Sequence, residues 1–110
     1  MSIKVVYNTC YGGFSISRAC ALRMSELGNL EAAEMFRESG NFSSWLDRTP
    51  RHDPALVQAV EELGSAASGQ FSDLHVFEIK GNRYIIDEYD GLECVVEPED
   101  IKWVEVLRES

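Results

Sequence analysis

The spacing of apolar positions predicts a strand followed by a helix at the start of the chain. Residues 3–7 are β-branched or aromatic apart from Lys4, which is typical of a buried strand. A double glycine at 12–13 ends this strand, and Ser15 or Ser17 can cap a helix that stops at Gly28. The apolar face of this helix is predicted to consist of Ile16, Cys20, Met24 and Leu27.

Two further helices are predicted in the middle of the chain. The second begins at Asn29 and ends at Gly40. Its apolar face is predicted to consist of Leu30, Ala33 and Phe36, and its polar face of Glu31, Glu34, Arg37 and Glu38. The third is capped by Asp53, carries Pro54 where the missing N–H is harmless, and ends at Gly64.

The last part of the chain is predicted to be a meander of strands. Gly81-Asn82 and Tyr89-Asp90-Gly91 supply the turn chemistry between the first three of them. The predicted strands are residues 74–79, 83–88, 92–96 and 101–107. Between the helices, residues 41–52 are irregular, and we expect Phe42 and Trp45 to hold them against the body.

Together these elements predict a single α+β domain over residues 1–110. An N-terminal strand and three helices precede a mostly antiparallel meander of about four strands. Because helices and strands are segregated along the chain, we expect the helices to pack on one face of the sheet.

The net charge of −9 is concentrated in the last third, which carries −6 from ten acidic and four basic residues. Such a surface repels phosphates and anionic lipids, which argues against direct binding to nucleic acid or membranes. No apolar run reaches the roughly 18 residues that span a bilayer, and the N-terminus lacks the apolar segment of a secretory signal. We therefore expect a cytoplasmic protein.

Three cysteines, Cys10, Cys20 and Cys94, fit neither a disulfide framework nor a zinc motif, and we expect free thiols. The sequence predicts no metal site and no cofactor. Cys10 precedes a helix N-terminus, where the helix dipole can activate a thiol, and only His52 and His75 could serve it as a histidine base. Since no other catalytic motif accompanies them, we expect no enzymatic activity.

Three segments of the sequence resemble a family of small proteins encoded by tailed phages and large DNA viruses. They are residues 8–17 (NTCYGGFSIS), 53–64 (DPALVQAVEELG) and 88–93 (EYDGLE), and residues 28–51 lie outside the resemblance. The resemblance implies a viral accessory protein and assigns it no activity. It favours manipulation of the host, because small acidic phage proteins often bind host factors.

The first functional hypothesis is a protein-binding surface. Carboxylates that surround an aromatic side chain are suited to a basic partner, since opposite charge steers encounter and aromatic residues are enriched in interfaces. The partner would be a basic host protein, inhibited because the acidic surface competes with nucleic acid for its groove. The residues assigned to this surface are Asp87, Glu88, Tyr89, Asp90 and Glu93. A free strand edge in the meander would also permit a homodimer.

The second hypothesis is a small-molecule site, for a nucleotide signal or a minor enzymatic reaction. It would lie at residues 8–18, which we call the glycine loop. Backbone N–H groups at a strand–glycine–helix junction can bind an anion. The residues assigned to this site are Asn8, Cys10, Gly12, Gly13, Ser15, Ser17 and Arg18. The segment matches neither a Walker motif nor GxGxxG, so tight-turn packing is the competing interpretation of its glycines.

Overall fold

The helices and strands of the computed structural model follow the order predicted from the sequence. The structure describes residues 3–39, 43–102, 104 and 106. The elements are β1 (Ile3–Asn8), α1 (Arg18–Glu26), α2 (Leu30–Glu34, continued by a π-helical turn Met35–Ser39), α3 (Pro54–Leu63), β2 (Leu74–Ile79), β3 (Ile85–Tyr89) and β4 (Leu92–Val96). The α+β class is confirmed.

Side-chain caps begin α1, α2 and α3. Ser17 is one of the two caps predicted for α1, Asp53 is the cap predicted for α3, and Asn29 is the residue at which α2 was predicted to begin. Ser17, Asn29 and Asp53 each accept a hydrogen bond from the backbone N–H three residues further on, at 3.1, 2.8 and 3.1 Å. Each cap satisfies one of the N–H groups that the first helical turn leaves without a partner. Gly64 ends α3 with φ +58°, a conformation that favours glycine.

The strands form two separate antiparallel pairs. Strand β1 pairs with β2, with Asn8 opposite Leu74, and β3 pairs with β4, with Tyr89 opposite Leu92. The expected pairing of β2 with β3 across Gly81-Asn82 is not formed. The physical reason is that β2 pairs with β1, which lies about seventy residues earlier in the chain. A local turn signal does not reveal such a long-range pairing.

The helices pack on one face of the β1–β2 sheet and form the main core there. Val6 and Leu74 face the helices, while Val5 and Ile79 are buried on the opposite face, since side chains alternate along a strand. Strand β4 lies against β1. The helix-side core consists of Val6, Phe14, Ile16, Cys20, Ala21, Met24, Ala32, Leu56, Val57, Ala59, Val60, Ala67 and Leu74.

The predicted faces of α2 are wrong at Leu30 and Glu31, whereas Phe36 packs against the core as predicted. Leu30 is 75% exposed, whereas Glu31 and Ala32 are buried. The Glu31 carboxylate accepts hydrogen bonds from the Thr49 hydroxyl at 2.7 Å and from the backbone N–H groups of residues 47–49. Helical periodicity predicts Glu31 on the solvent-facing side. It misses the burial of this side chain because the loop that covers it lies sixteen to eighteen residues away along the chain.

Two expectations fall outside the structure. Of the predicted last strand at 101–107, residues 101, 102, 104 and 106 are described and do not lie in a strand, whereas 103, 105 and 107 lie outside the described residues. Phe42 also lies outside the described residues. Among the helices that the structure describes, none has the length and apolarity needed to cross a bilayer.

Candidate functional site

Four of the five residues assigned to the acidic surface lie exposed at the end of the β3–β4 hairpin. Asp87, Glu88 and Asp90 are exposed, and Tyr89 is 78% exposed. Asp90 and Gly91 form the two-residue turn with φ values of +54° and +93°, as in the type I′ turns of tight hairpins. Within the described part of the chain, no ion pair involves these three carboxylates, so their charge faces solvent uncompensated.

Glu93 does not belong to this surface, which corrects its assignment from the sequence. It is 7% exposed and accepts two hydrogen bonds from the Arg51 guanidinium, at 2.6 and 2.8 Å. The same carboxylate accepts the backbone N–H of Asn8 at 2.9 Å. A charge this deeply buried requires such partners, so Glu93 stabilises the fold and is not available to a partner protein.

Arg51, which binds the Glu93 carboxylate, was not identified from the sequence as a residue of interest. Its guanidinium lies 3.6 Å from the Phe14 ring centroid, a cation–π geometry, and its backbone C=O accepts the Val6 N–H at 2.9 Å. Arg51 therefore connects β1, the glycine-loop segment and β4. No local signal identifies it, because Val6 and Glu93 are each more than forty residues away along the chain.

Asn8, assigned to the small-molecule site, is fully buried and its amide is bonded within the fold. Oδ1 accepts the N–H groups of Cys10 and Asp73 at 3.2 and 2.8 Å. Nδ2 donates to the C=O groups of Cys10 and Gly91 at 2.6 and 2.8 Å. With four bonds made, the amide has no capacity left for a ligand.

The glycine loop and the β3–β4 turn pack backbone against backbone. A Cβ atom at Gly91 would lie 2.2 Å from the Tyr11 carbonyl oxygen and 2.7 Å from the Gly13 nitrogen. A Cβ atom at Gly12 would lie 2.1 Å from the Phe71 carbonyl oxygen. Two of the three segments that carry the family resemblance, 8–17 and 88–93, thus meet in space, and their glycines permit that close approach.

A cleft of about 440 Å³ lies beside the same loop. Gly12, Ser15 and Ser17 line it, and Trp45 and Phe71, which are 65% and 64% exposed, lie along it. The expectation that Trp45 packs into the body is therefore wrong. Ser17 also caps α1 and donates to the Ala66 carbonyl, and the Arg18 guanidinium lies outside the cleft, 5.2 Å from the Phe36 ring centroid.

The thiols and histidines do not assemble into a catalytic group. Burial raises the pKa of Cys20 to about 12. Cys10 is half-buried, and His52 and His75 interact with Tyr84 and Asp73, at 2.8 and 3.3 Å, with no hydrogen bond from either to Cys10 among the described residues. The nucleophile hypothesis for Cys10 gains no partner from the structure.

A second open groove, of about 710 Å³, lies beside the first residues of β3 and was not anticipated from the sequence. Ile85, Ile86 and Val96 line its apolar side, and the His52–Tyr84 pair marks its polar end. Burial raises the pKa of Tyr84, and the nearby positive charge of Arg51 offsets part of this rise. In the described residues no buried side-chain nitrogen or oxygen lacks a hydrogen-bond partner, so no orphaned polar atom in either cleft indicates a ligand.

Comparisons of the chain with protein-family models, curated proteins and solved structures find no match. The functional interpretation therefore rests on the geometry and electrostatics of the molecule itself.

Proposed function

We propose that the protein is a non-catalytic binding protein whose hairpin end captures a positively charged partner protein. The observation that carries the proposal is a set of three exposed carboxylates, Asp87, Glu88 and Asp90, around the 78% exposed Tyr89. These carboxylates form no ion pair with any residue that the structure describes. We name these four residues the acidic tip. Glu93, buried beneath it, holds the hairpin in place.

The acidic tip has the two components that a binding surface for a basic protein needs. The carboxylates steer a positive surface toward it and fix the orientation of encounter. Tyr89 offers apolar area with few rotatable bonds, which is why aromatic residues often contribute much of the binding energy at interfaces. A basic groove that normally holds nucleic acid would suit both components.

The biological setting we propose follows from the family resemblance. The protein would be a viral accessory protein that acts in the host cytoplasm. There it would inhibit a host defence protein or a host enzyme that acts on nucleic acid, by occupying its phosphate-binding surface.

The test is affinity capture from host-cell lysate at low and high salt, read by quantitative mass spectrometry. The triple variant Asp87→Lys, Glu88→Lys, Asp90→Lys changes the net charge from −9 to −3. We expect wild-type protein to enrich one basic protein, with less recovered at high salt, and the triple variant to lose it.

The matched control reverses three exposed carboxylates elsewhere, Glu26, Asp47 and Glu99, and reaches the same net charge. This control should retain the partner. If both variants lose it equally, or if both keep it, the acidic tip is not the binding surface.

A second candidate function, binding of a nucleotide-like small molecule, is favoured by the cleft beside Gly12, Ser15 and Ser17. Exposed Trp45 and Phe71 are suited to stacking on a planar base. Thermal unfolding with a panel of mono-, di- and cyclic nucleotides tests it, since ligand at about 100 times its Kd stabilises by about 2.7 kcal/mol. Trp45→Ala should abolish the shift and Tyr89→Ala, outside the cleft, should keep it; no shift with any nucleotide would reject this function.

A further inference from the structure

The outer edge of β2 carries backbone groups that have no hydrogen-bond partner among the described residues. In an antiparallel pair, each residue turns both its N–H and its C=O either toward the partner strand or away from it. The N–H groups of Val6 and Asn8 bond to the Arg51 carbonyl and the Glu93 carboxylate, so these residues turn away from β2. By register, the residues opposite the even-numbered positions of β1 turn away from β1: Leu74, Val76 and Glu78.

The outer edge of β1 is closed at Val6 and Asn8, and that of β2 is closed only at its two ends. The Leu74 N–H donates to the Ser68 hydroxyl at 2.9 Å, and the Lys80 N–H donates to the Glu97 carboxylate at 3.0 Å. Between them, the N–H groups of Val76 and Glu78 have no hydrogen-bond partner within the portion of the chain that the structure describes. Sheet edges of this kind can pair with another strand.

We propose that this edge binds the β2 strand of a second copy of the protein, antiparallel, about a two-fold axis at Phe77. Val76 of each copy would then lie opposite Glu78 of the other. Since both residues present an N–H and a C=O outward, the two copies would exchange four backbone hydrogen bonds. Phe77 would lie opposite its own counterpart, with Cβ atoms about 4.5–5.5 Å apart.

The side chains on this edge are self-complementary. Phe77 is 37% exposed and packs edge-on against Tyr7, with ring centroids 6.4 Å apart, so an aromatic cluster would form across the axis. Glu78 would face Val76 of the other copy, and Lys4 lies directly opposite it on β1. No like charges would be placed directly opposite each other within β2.

The acidic residues of β3 are the reason why a second copy is expected to pair with β2 and not with β3. An antiparallel β3–β3 pairing centred on the strand would place Asp87 opposite its own counterpart, and Glu88 close by. Like charges directly opposite each other destabilise a sheet, and such charges protect an exposed edge. The β2 dimer uses none of the acidic tip, so it can fail or succeed independently of the proposed function.

Sedimentation equilibrium over a range of protein concentrations tests the dimer. Phe77→Lys places two ammonium groups opposite each other. Val76→Pro removes an N–H that has no hydrogen-bond partner among the described residues of the single copy. Each should weaken dimerisation by at least about tenfold. Ile85→Lys, at a 57% exposed position on β3, should leave it unchanged.

Cross-linking gives a second readout. In a Cys94→Ser background, Phe77→Cys should form an intermolecular disulfide on mild oxidation, because opposed residues at a non-hydrogen-bonded position lie within disulfide range. Ile85→Cys in the same background should form no such disulfide. A wild-type chain that stays monomeric at its highest soluble concentration would overturn the proposal, as would a dimer that both β2 variants leave intact.

Discussion

At the scale of single residues, burial distinguishes the acidic side chains that are bonded within the fold from those that lie on the surface. Glu88 and Glu93 lie directly opposite each other on β3 and β4, yet one is exposed and the other is 7% exposed and paired with Arg51. Both residues are glutamates, so their charge in the sequence does not distinguish them. Directly opposed side chains share one face of the hairpin, so their difference arises because β4 lies against β1, where the Asn8 N–H and Arg51 bond to Glu93.

Glu93→Gln should lower the free energy of unfolding by about 2–4 kcal/mol, because it leaves the Arg51 charge without its carboxylate. This lies toward the lower end of the range for fully buried pairs, since the Arg51 side chain is 23% exposed. Urea denaturation measures it. Glu88→Gln is the matched control and should change stability by no more than about 0.5 kcal/mol; equal losses would contradict the assigned role of Glu93.

Glu31 should make stability depend on acid pH. Its burial raises the pKa, but hydrogen bonds from Thr49 and from the backbone N–H groups of residues 47–49 outweigh burial and lower the pKa below the ordinary 4.5. Since the folded-state pKa is depressed, the contribution is complete above about pH 4.5 and is lost as the pH falls through the lower folded value.

Glu31→Gln should therefore destabilise the protein at neutral pH by about 1–3 kcal/mol and flatten the acid limb of its pH–stability curve. Chemical denaturation at a series of pH values measures both effects. Glu26→Gln, at an exposed position of α1, should leave the curve as in the wild type. A Glu31 variant with an unchanged acid limb would show that the hydrogen bonds do not lower this pKa.

At the scale of elements, the position of the β3–β4 hairpin depends on its turn as much as on its strands. Gly91 has φ +93° and approaches Tyr11 and Gly13, while the C=O of Gly91 accepts from the Asn8 amide. The turn thus joins the hairpin to the glycine loop. Gly91 therefore allows the turn to pack closely against the glycine loop, and Gly12 allows that loop to pack closely against Phe71.

Gly91→Ala should destabilise the protein by at least about 1–3 kcal/mol, because it combines a left-handed backbone with a collision against the Tyr11 carbonyl. Thermal or urea unfolding measures the loss. Gly81→Ala has open space and an ordinary φ, so it should be neutral or slightly stabilising, by up to about 1 kcal/mol. Comparable losses for both glycines would show that the hairpin is not held at Gly91.

At the scale of the whole molecule, the net charge of −9 should give the two proposed interactions opposite responses to salt. Attraction between the acidic tip and a basic partner is screened as ionic strength rises, so capture should weaken. Two copies of an acidic chain repel each other, so β2 dimerisation should strengthen. Sedimentation at low and high salt measures the second effect, and a dimer that dissociates on adding salt would contradict pairing through uncharged backbone groups.

The features predicted correctly from the sequence are those set by neighbouring residues. Ser17, Asn29 and Asp53 cap their helices because each needs only the next three residues. The Asp90-Gly91 turn forms because these residues tolerate positive φ. From these local signals the strand, helix and strand order could be predicted, and with it the α+β class.

Only the tertiary structure decided the strand partners and the roles of Arg51, Glu31, Glu93 and Asn8. Each depends on groups brought together from distant parts of the chain: Asn8 reaches Gly91, and Arg51 reaches Glu93. Hydrophobic periodicity and charge record a residue's own preference for water, but not which distant donor will meet it when the chain folds. The sequence by itself therefore determined the local elements and an acidic hairpin, and the folded chain decided which carboxylates are buried with partners and which remain exposed to solvent.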